Sequence, residues 1–384
     1  MARNSGTYVT TTTLGETVRA FVPHPLPPSA PELSPTSYET QNRAAEMALS
    51  RLSAVSGLVP SVEWLLYSAV RKEALLTSQI EGTQATLADL FDQEAGIALN
   101  NRDDVEEVTN YMRAFRLVRD NLRDAHGLPL SVRLICDAHR ILLNGARGAN
   151  KQPGELRQSQ NWIGGSRPRN AVFVPPPPEQ VPQLLSDLER LIHVEPLPLP
   201  PLVIIALIHA QFETVHPFLD GNGRIGRLLI TALLEHWRLL KEPLLYLSGY
   251  LKRNQREYYR LLSATRTDGA WEEWVRFFLV AVTEAAAEAE RSVVDVATLV
   301  TNDRRRLLDS PNANAAAFRL FELLPMMPRF TVEKARQQLS TSYPTANAAV
   351  RLLTDLGIVM EMTGQQRKRT FGYQSYIEML ARTE

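Results

Sequence analysis

The chain has 384 residues, enough for two or three domains, and its 42 Lys and Arg residues balance 42 Asp and Glu residues. A hydrophobic share of 44% beside a charged share of 22% is typical of a soluble globular protein, and the zero net charge does not favour a nucleic-acid or membrane partner. The single cysteine, Cys136, excludes an internal disulfide, and the N-terminus lacks an apolar signal region, so we expect a cytoplasmic protein.

Four segments are expected along the chain. Residues 1–34 are predicted to form an extended arm, because prolines cluster between positions 23 and 31 and helical signals are few. A helical region is predicted at 35–103 and a larger, mostly helical domain at 104–300. The charged run at 303–306 precedes a fourth segment, a domain at 305–384.

Residues 62–80 are predicted to form a helix, since Leu65, Leu66, Ala69, Leu76 and Ile80 recur at helical spacing. It ends in the run TSQIEG at 77–82. A left-handed cap at Gly82 would end the helix and present Glu81 at its tip. Taken alone, the hexamer is most simply a solvated charge at a helix end.

Residues 154–178 contain two short runs that favour β-structure, NWIGG at 161–165 and AVFV at 171–174. Because glycines and a proline separate them, we expect a hairpin near 159–175. An ordinary surface hairpin with a proline-rich exit is the alternative.

The apolar segment at 201–214 is predicted to be a buried central helix, and the run HPFLDGNGRIGR follows it at 216–227. Gly221, Gly223 and Gly226 allow successive N–H groups to turn toward one point at the start of the next helix, which is an anion site. Arg224 and Arg227 leave the same side of its first turn and suit a polyphosphate.

His216 stands at the end of the central helix, where the helix dipole is expected to raise its pKa. A neutral imidazole there could accept a proton from an incoming hydroxyl. Asp220 is a hard ligand for Mg²⁺ beside phosphates, and Phe218 is expected to point inward as an anchor. The structural alternatives are a capping or core histidine and an N-cap aspartate.

The run at 216–227 resembles the signature of the Fic family, HPFxDGNGRxGR, at every fixed position. The resemblance implies a mostly α fold, a Fic-type helical core with a short β-hairpin flap. It also implies a protein adenylyltransferase, which transfers AMP from ATP to a hydroxyl side chain of a target protein and releases pyrophosphate.

The resemblance also implies roles for individual residues. His216 would deprotonate the hydroxyl and Asp220 would hold Mg²⁺, while Arg227 would bind the γ-phosphate. Other ATP contacts are expected from the rest of the loop, the central helix and the helical stretch at 251–262, namely Gln211, Pro217, Phe218, Leu219, Gly221, Asn222, Gly223, Arg224, Asn254 and Tyr258. Of these, Asn222, Gly223 and Arg224 would hold the α- and β-phosphates, and Asn254 and Tyr258 would line the adenine and ribose pocket.

The run at 77–82 is similar to the family's inhibitory motif, (S/T)xxxE(G/N), through Thr77, Glu81 and Gly82. By this resemblance Glu81 would pair with Arg227 and occupy the space that the γ-phosphate needs. The flap of the family would clamp a target segment by strand pairing.

Residues 305–384 resemble a winged helix-turn-helix domain, with helices predicted at 315–324, 331–339 and 344–356 and strands at 358–362 and 369–373. Thr345, Asn347 and Arg351 would face outward from a recognition helix, and Arg367, Lys368 and Arg369 would lie on the wing. The basic surplus is small, so we favour a protein-docking or assembly role over DNA binding.

Two other functions stay open. The same fold could remove AMP or transfer another nucleotide or phosphoryl group, or the chain could be a nucleotide-sensing DNA-binding regulator. Self-modification and a homodimer are reasonable expectations for this architecture.

Overall fold

The structure is a computed structural model that describes residues 3–58, 61–99, 101–145, 150–364 and 369–382. Its strands are β1 Gly6–Thr13, β2 Glu16–Pro23, β3 Arg329–Thr331, β4 Met360–Glu361 and β5 Thr370–Gly372. Its α-helices are α1 Glu39–Val55, α2 Val62–Ile80, α3 Leu87–Ala95, α4 Arg102–Arg123, α5 Val132–Leu142, α6 Val181–His193, α7 Pro201–Val215, α8 Asn222–His236, α9 Ser248–Arg253, α10 Gln255–Thr267, α11 Trp271–Leu308, α12 Ala315–Leu323, α13 Val332–Leu339, α14 Tyr343–Asp355 and α15 Gln374–Ala381. Short 3₁₀ turns lie at Pro35–Ser37, Ser56–Leu58, Pro168–Asn170, Pro178–Gln180 and Leu324–Met326. The predicted predominance of helix is confirmed.

Helix α7 forms the centre of the core. It is apolar around its whole circumference and nearly every residue on it is buried, as expected for a helix that other helices surround. Helices α8 and α11 pack on it, and the indole N–H of Trp274 on α11 donates to the carbonyl of Ala206 at 2.8 Å. Helix α7 therefore delivers its C-terminal end, and the residues after it, at a fixed position.

The N-terminal segment contains a hairpin where the sequence analysis predicted only an extended arm. Strands β1 and β2 pair antiparallel from Gly6 opposite Pro23 to Thr13 opposite Glu16. Leu14 and Gly15 form the turn with φ of 50° and 76°, the left-handed backbone that a two-residue hairpin turn requires. The β-branched residues of β1 favour a strand, and the prolines that suggested an arm lie only at and beyond the end of β2.

The hairpin predicted near 159–175 is reduced to a loop closed by one antiparallel pair. Ile163 and Phe173 exchange backbone hydrogen bonds of 2.8 and 3.1 Å. On the outer side, the N–H of Phe21 in β2 donates to the carbonyl of Val174 at 2.9 Å. Longer pairing is prevented because Gly164 and Gly165 both adopt positive φ and Pro175 lacks an N–H donor. We call residues 159–176 the flap.

Two predicted domain boundaries fall inside helices. The boundary at 103–104 lies within α4. The charged run at 303–306 lies within α11, a single helix of 38 residues that is about 57 Å long. Asp303 is buried on α11 and accepts the O–H of Tyr373 at 2.7 Å, so the C-terminal elements are anchored to this helix. The charged run at 303–306 therefore does not mark the end of α11.

Beyond α11 the structure holds helices α12–α15 and a sheet in the order β3-β5-β4. Thr331 caps α13 as predicted, with its hydroxyl oxygen accepting the N–H of Lys334 at 3.2 Å. Strand β3 and helix α15 were not predicted, and the predicted wing residues Arg367 and Lys368 lie outside the described residues. Thr345 and Arg351 are exposed on α14 and Asn347 is half-exposed.

Among the described residues, none of the helices combines the length and the apolar character needed to span a membrane.

We predict that Leu207→Ala lowers the free energy of unfolding by about 2–5 kcal/mol, because the fully buried Leu207 on α7 would leave a cavity that the surrounding helices cannot fill. Chemical denaturation monitored by circular dichroism measures this change. Leu308→Ala, at an exposed position, is the control and is expected to change stability little. Equal losses for the two variants would contradict the assignment of α7 to the core.

Candidate active site

The loop at 216–221 joins α7 to α8 and is held in an unusual backbone conformation. His216 ends α7 with φ of 48°, in the left-handed region that side chains other than glycine rarely adopt. Its N–H donates to the carbonyl of Phe212 at 2.9 Å, and Gly221 has φ of 76° immediately before α8. Such conformations persist only where the surroundings fix them, so the direction of the His216 ring is set by its neighbours.

The imidazole of His216 is neutral at physiological pH. Burial lowers the pKa of His216 to about 4, and the positive charges of Arg157 and Arg266 act in the same direction. The predicted rise in pKa from the end of the helix is therefore wrong, because the contact with the Glu213 carbonyl is outweighed by burial. Nδ1 lies 3.4 Å from that carbonyl, so a proton on Nδ1 leaves Nε2 as the basic nitrogen.

Phe218 and Asn222 hold the loop between them. The ring of Phe218 is fully buried and stacks on His139 with centroids 3.8 Å apart, so the predicted inward anchor is present. The side chain of Asn222 accepts the N–H of Phe218 and donates to its carbonyl, both at 2.9 Å. Both polar atoms of this side chain are used to close the loop, and the phosphate role of Asn222 stays a prediction. Pro217 is buried, and Leu219 is half-buried between Phe218 and Asp220.

Asp220 presents a partly exposed carboxylate beside the start of α8. Its side chain is 45% exposed, and Oδ1 accepts the N–H of Gly221 at 2.6 Å. Within the described ranges no group of three or more His, Cys, Asp or Glu side chains could hold a metal ion. A single hard carboxylate nevertheless fits Mg²⁺, which prefers one or two carboxylates together with water and phosphate oxygens.

Arg224 lies in the first turn of α8 with its guanidinium mostly buried. Nη1 lies 3.5 Å from Glu107 and Nη2 lies 3.8 Å from Asp220, while the buried Nε has no hydrogen-bond partner within the described residues. A cavity of about 50 Å³ lies between these groups. Arg224 therefore keeps donor capacity for an anion at the helix start.

Arg227 is 2% exposed and is held by the end of α2. Nε donates to the hydroxyl of Thr77 at 2.6 Å, Nη2 donates to the Thr77 carbonyl at 3.1 Å, and Nη2 also pairs with Glu81. Burial raises the pKa of Glu81, but the charge of Arg227 more than offsets this and the pKa lies below its usual value. Glu81 is thus a carboxylate at neutral pH.

Two glycines leave room for the side chain of Glu81 between the end of α2 and the start of α8. Gly82 has φ of 100° and ends α2, as the sequence predicts. On the facing helix, a Cβ added to Gly223 would lie 2.3 Å from Oε1 of Glu81. The carboxylate therefore lies directly against the backbone at the start of α8.

Three predicted nucleotide contacts stay predictions, and their side chains have protein partners in this structure. The side-chain amide of Gln211 donates to the carbonyl of His24 at 2.9 Å. Tyr258 is fully buried, with its hydroxyl 2.9 Å from Nε2 of His209, so it supports the core. The side-chain amide of Asn254 donates to the carbonyl of Tyr250 on the preceding helix. Tyr259, the residue after Tyr258, is exposed in part, and its partial burial together with the negative charge of Glu81 raises its pKa.

The sequence analysis did not single out Glu213, Arg157 or Arg266. Burial raises the pKa of Glu213 to about 7, and its buried Oε1 has no hydrogen-bond partner within the described residues. Arg157 donates from Nε to the carbonyl of His216 at 2.9 Å, and Arg266 lies 3.8 Å above the ring of Phe173 in the flap. An acidic residue inside the apolar helix at 201–214 was the one available signal.

Comparisons with known proteins agree with this geometry. Residues 40–120 match the model described as "Fic/DOC family N-terminal", and residues 129–234 match the model described as "Fic/DOC family". A curated relative, "Protein adenylyltransferase Fic" of Drosophila yakuba, is 28% identical over 202 residues, which are 52% of this chain and 37% of that protein. The Drosophila melanogaster protein of the same name is 27% identical over the same shares. The chain thus spans well under half the length of these relatives.

Solved structures share the fold. A Fic family protein from Desulfovibrio desulfuricans G20 superposes with a TM-score of 0.56 at 22% identity, covering 88% of this chain and 96% of that one. Fic-1 from C. elegans superposes with a TM-score of 0.51 at 21% identity, covering 67% and 72%. The similarity to the Fic/DOC family thus covers residues 40–120 and 129–234, which include the loop at 216–221, Glu81, Arg224 and Arg227.

Proposed function

We propose that this protein is an adenylyltransferase that transfers AMP from ATP to a hydroxyl side chain of a target protein, and that Glu81 restrains it. The observation that carries the proposal is the position of a neutral imidazole, His216, beside a helix start that presents Arg224 and Arg227. Relatives named protein adenylyltransferase support the same reaction class.

The start of α8 would bind the triphosphate. The first N–H groups of a 15-residue helix have no partner within the helix and attract anions, and Gly221 and Gly223 permit a close approach of phosphate oxygens. Arg224 would bind the inner phosphates and Arg227 the γ-phosphate. Asp220 would hold Mg²⁺, which neutralises phosphate charge when bound.

The reaction needs one base and one leaving group. Nε2 of His216 accepts the proton of the target hydroxyl as its oxygen attacks the α-phosphorus. The bond between that phosphorus and the bridging oxygen to the β-phosphate breaks, and pyrophosphate leaves with the electron pair. The product is a phosphodiester between AMP and the target side chain.

Glu81 would restrain the reaction by direct competition. Its carboxylate pairs with the guanidinium that the γ-phosphate requires, and it lies against the backbone of Gly223. Two anionic groups cannot share this buried site without a large electrostatic cost. ATP would then bind in an orientation that does not present its α-phosphorus to His216.

The C-terminal elements would serve in docking. Helices α13 and α14 with strands β4 and β5 have the order of a winged helix-turn-helix, and α14 exposes Thr345 and Arg351. We propose a contact with protein, in a homodimer or with the target, before a contact with DNA.

Glu81→Gly is expected to raise AMP transfer on the order of 5–150-fold, the usual range of a coupling between sites, because Arg227 becomes available to ATP. His216→Ala in the same background is expected to lower the rate by about 10²–10⁴-fold through loss of the base. Incorporation of label from α-labelled and γ-labelled ATP into lysate proteins, followed by mass spectrometry, measures both.

Glu63→Gly, an exposed carboxylate on the same helix, is the matched control for Glu81→Gly. Label from the α-position alone supports AMP transfer. Label from the γ-position alone would replace it with kinase chemistry, and no change in rate for Glu81→Gly would remove the inhibitory role.

Thr77→Val is expected to lower the free energy of unfolding by about 1–3 kcal/mol, because the buried Nε of Arg227 loses its acceptor. In the Glu81→Gly background it is also expected to weaken ATP binding, measured by calorimetry. Thr265→Val is the control, since that buried hydroxyl bonds only to the Leu262 carbonyl of its own helix. Unchanged ATP affinity would show that Thr77 does not position Arg227.

The imidazole of His216 is expected to stay neutral until the pH falls toward 4, because burial and nearby guanidinium groups lower its pKa. NMR titration of ring protons, with the His216 signal identified by its absence in His216→Gln, measures the midpoint. The base would then be ready at pH 7 without prior deprotonation. A midpoint above pH 6 would contradict this account of its surroundings.

A further inference from the structure

Arg157 lies in the chain between α5 and the flap and is 2% exposed, yet the described residues offer it no ion pair within salt-bridge distance. Burial lowers the pKa of Arg157 to about 10, and Glu179 is the carboxylate that opposes this shift. A buried cation without a carboxylate partner is costly unless other groups replace its hydration shell. The contacts of Arg157 must therefore supply that compensation.

The compensation comes from backbone carbonyls on two separate segments. At the C-terminal end of α7, Nε donates to the carbonyl of His216 at 2.9 Å and Nη2 to that of Val215 at 3.3 Å. On the flap, Nη2 donates to the carbonyl of Pro176 at 2.6 Å and Nη1 to that of Ser159 at 3.4 Å. The backbone N–H of Arg157 donates to the carbonyl of Pro217 at 2.9 Å.

One planar side chain thus joins both stems of the flap to the two residues at the end of α7. Val215 and His216 supply the terminal carbonyls of α7, where the helix dipole favours a positive charge. The same bond fixes the carbonyl of His216, whose φ of 48° needs support from its surroundings.

We infer that Arg157 is a positioning residue for the transfer reaction. It fixes His216 and the flap relative to each other, so that the imidazole lies within reach of a hydroxyl group on a target segment bound to the flap. The inference rests on the proposed function and deepens it. A point charge could reach only part of this set of carbonyls, whereas the guanidinium fork reaches all four at once.

The charge of Arg157 has a second effect on the base. The charged groups that act on His216 are Arg157, Arg266 from α10 and Glu81 from α2, and the Glu213 carbonyl of α7 contacts the ring. Loss of Arg157 removes one of two cations that disfavour protonation. The acid limb of the rate profile should therefore move to higher pH, which a purely structural role would not produce.

The test uses the full chain carrying Glu81→Gly, with Arg157→Gln and Arg157→Lys added separately. We expect Arg157→Gln to lower kcat by about 10²-fold, the scale of a misplaced reacting group, while the KM for ATP changes less than about threefold. Arg157→Lys should recover part of the rate. Amide hydrogen exchange of residues 159–176 and of residues 215–218 should rise together in Arg157→Gln.

Arg119→Gln is the matched control, because Arg119 is a partly buried arginine that pairs with Glu235 and Glu242 away from the loop. A kcat for Arg157→Gln within about threefold of the parent would overturn the inference, as would faster exchange confined to the flap. Failure of both Arg157 variants to fold, judged by circular dichroism, would also overturn it and make Arg157 a folding residue.

Failure of the proposed function gives a different result. If the Glu81→Gly parent transfers no AMP, the reaction assignment is lost, whereas the paired rise in hydrogen exchange still reports whether Arg157 joins the flap to His216. No such rise in a folded Arg157→Gln variant would overturn the inference alone.

Discussion

The buried guanidinium of Arg227 is the constraint on which the rest of the site depends. The guanidinium is 2% exposed, and Glu81 at the end of α2 supplies an anionic partner for it. Thr77, one turn earlier, fixes the orientation of the fork with two further acceptors. The N-terminal helical region is therefore attached to helix α8 by the same cation that the proposed reaction would use to hold phosphate. Exchange of a carboxylate for a phosphate would keep the local charge balance while changing which groups surround His216.

The three carboxylates near this cation behave differently because their environments differ. Glu81 accepts from Arg227 and is ionised, whereas burial raises the pKa of Glu73 and of Glu213 to about 7. Glu73 accepts the N–H of Ser248 at 3.0 Å and also its hydroxyl, but Glu213 keeps a buried oxygen without a hydrogen bond within the described residues. The net charge of the site near neutral pH therefore depends on whether Glu73 and Glu213 carry a proton.

The sequence was sufficient to predict the loop, because HPFLDGNGRIGR joins an apolar helix to a glycine-rich helix start. It was also sufficient to predict the end of α2, where Gly82 and Glu81 lie as the motif requires. It could not indicate that Tyr258 is buried against His209 while Tyr259 is exposed, since adjacent residues on a helix differ by only one step of rotation. It could not indicate the direction of Gln211 either, because α7 is enclosed on all sides and no apolar face fixes the direction of its polar residues. The sign of the His216 pKa shift depended on burial, which no local pattern reports.

The bond from Phe21 to Val174 has a consequence for how a substrate chain could approach. The flap has two backbone edges, and the inner pair, Ile163 and Phe173, bond to each other. The N-terminal hairpin takes the carbonyl of Val174, and Val18, Ala20 and Val174 pack as a small apolar cluster behind it. Under the proposed function, a target strand that paired with the flap would therefore have to use backbone groups other than the Val174 carbonyl, which already accepts the N–H of Phe21.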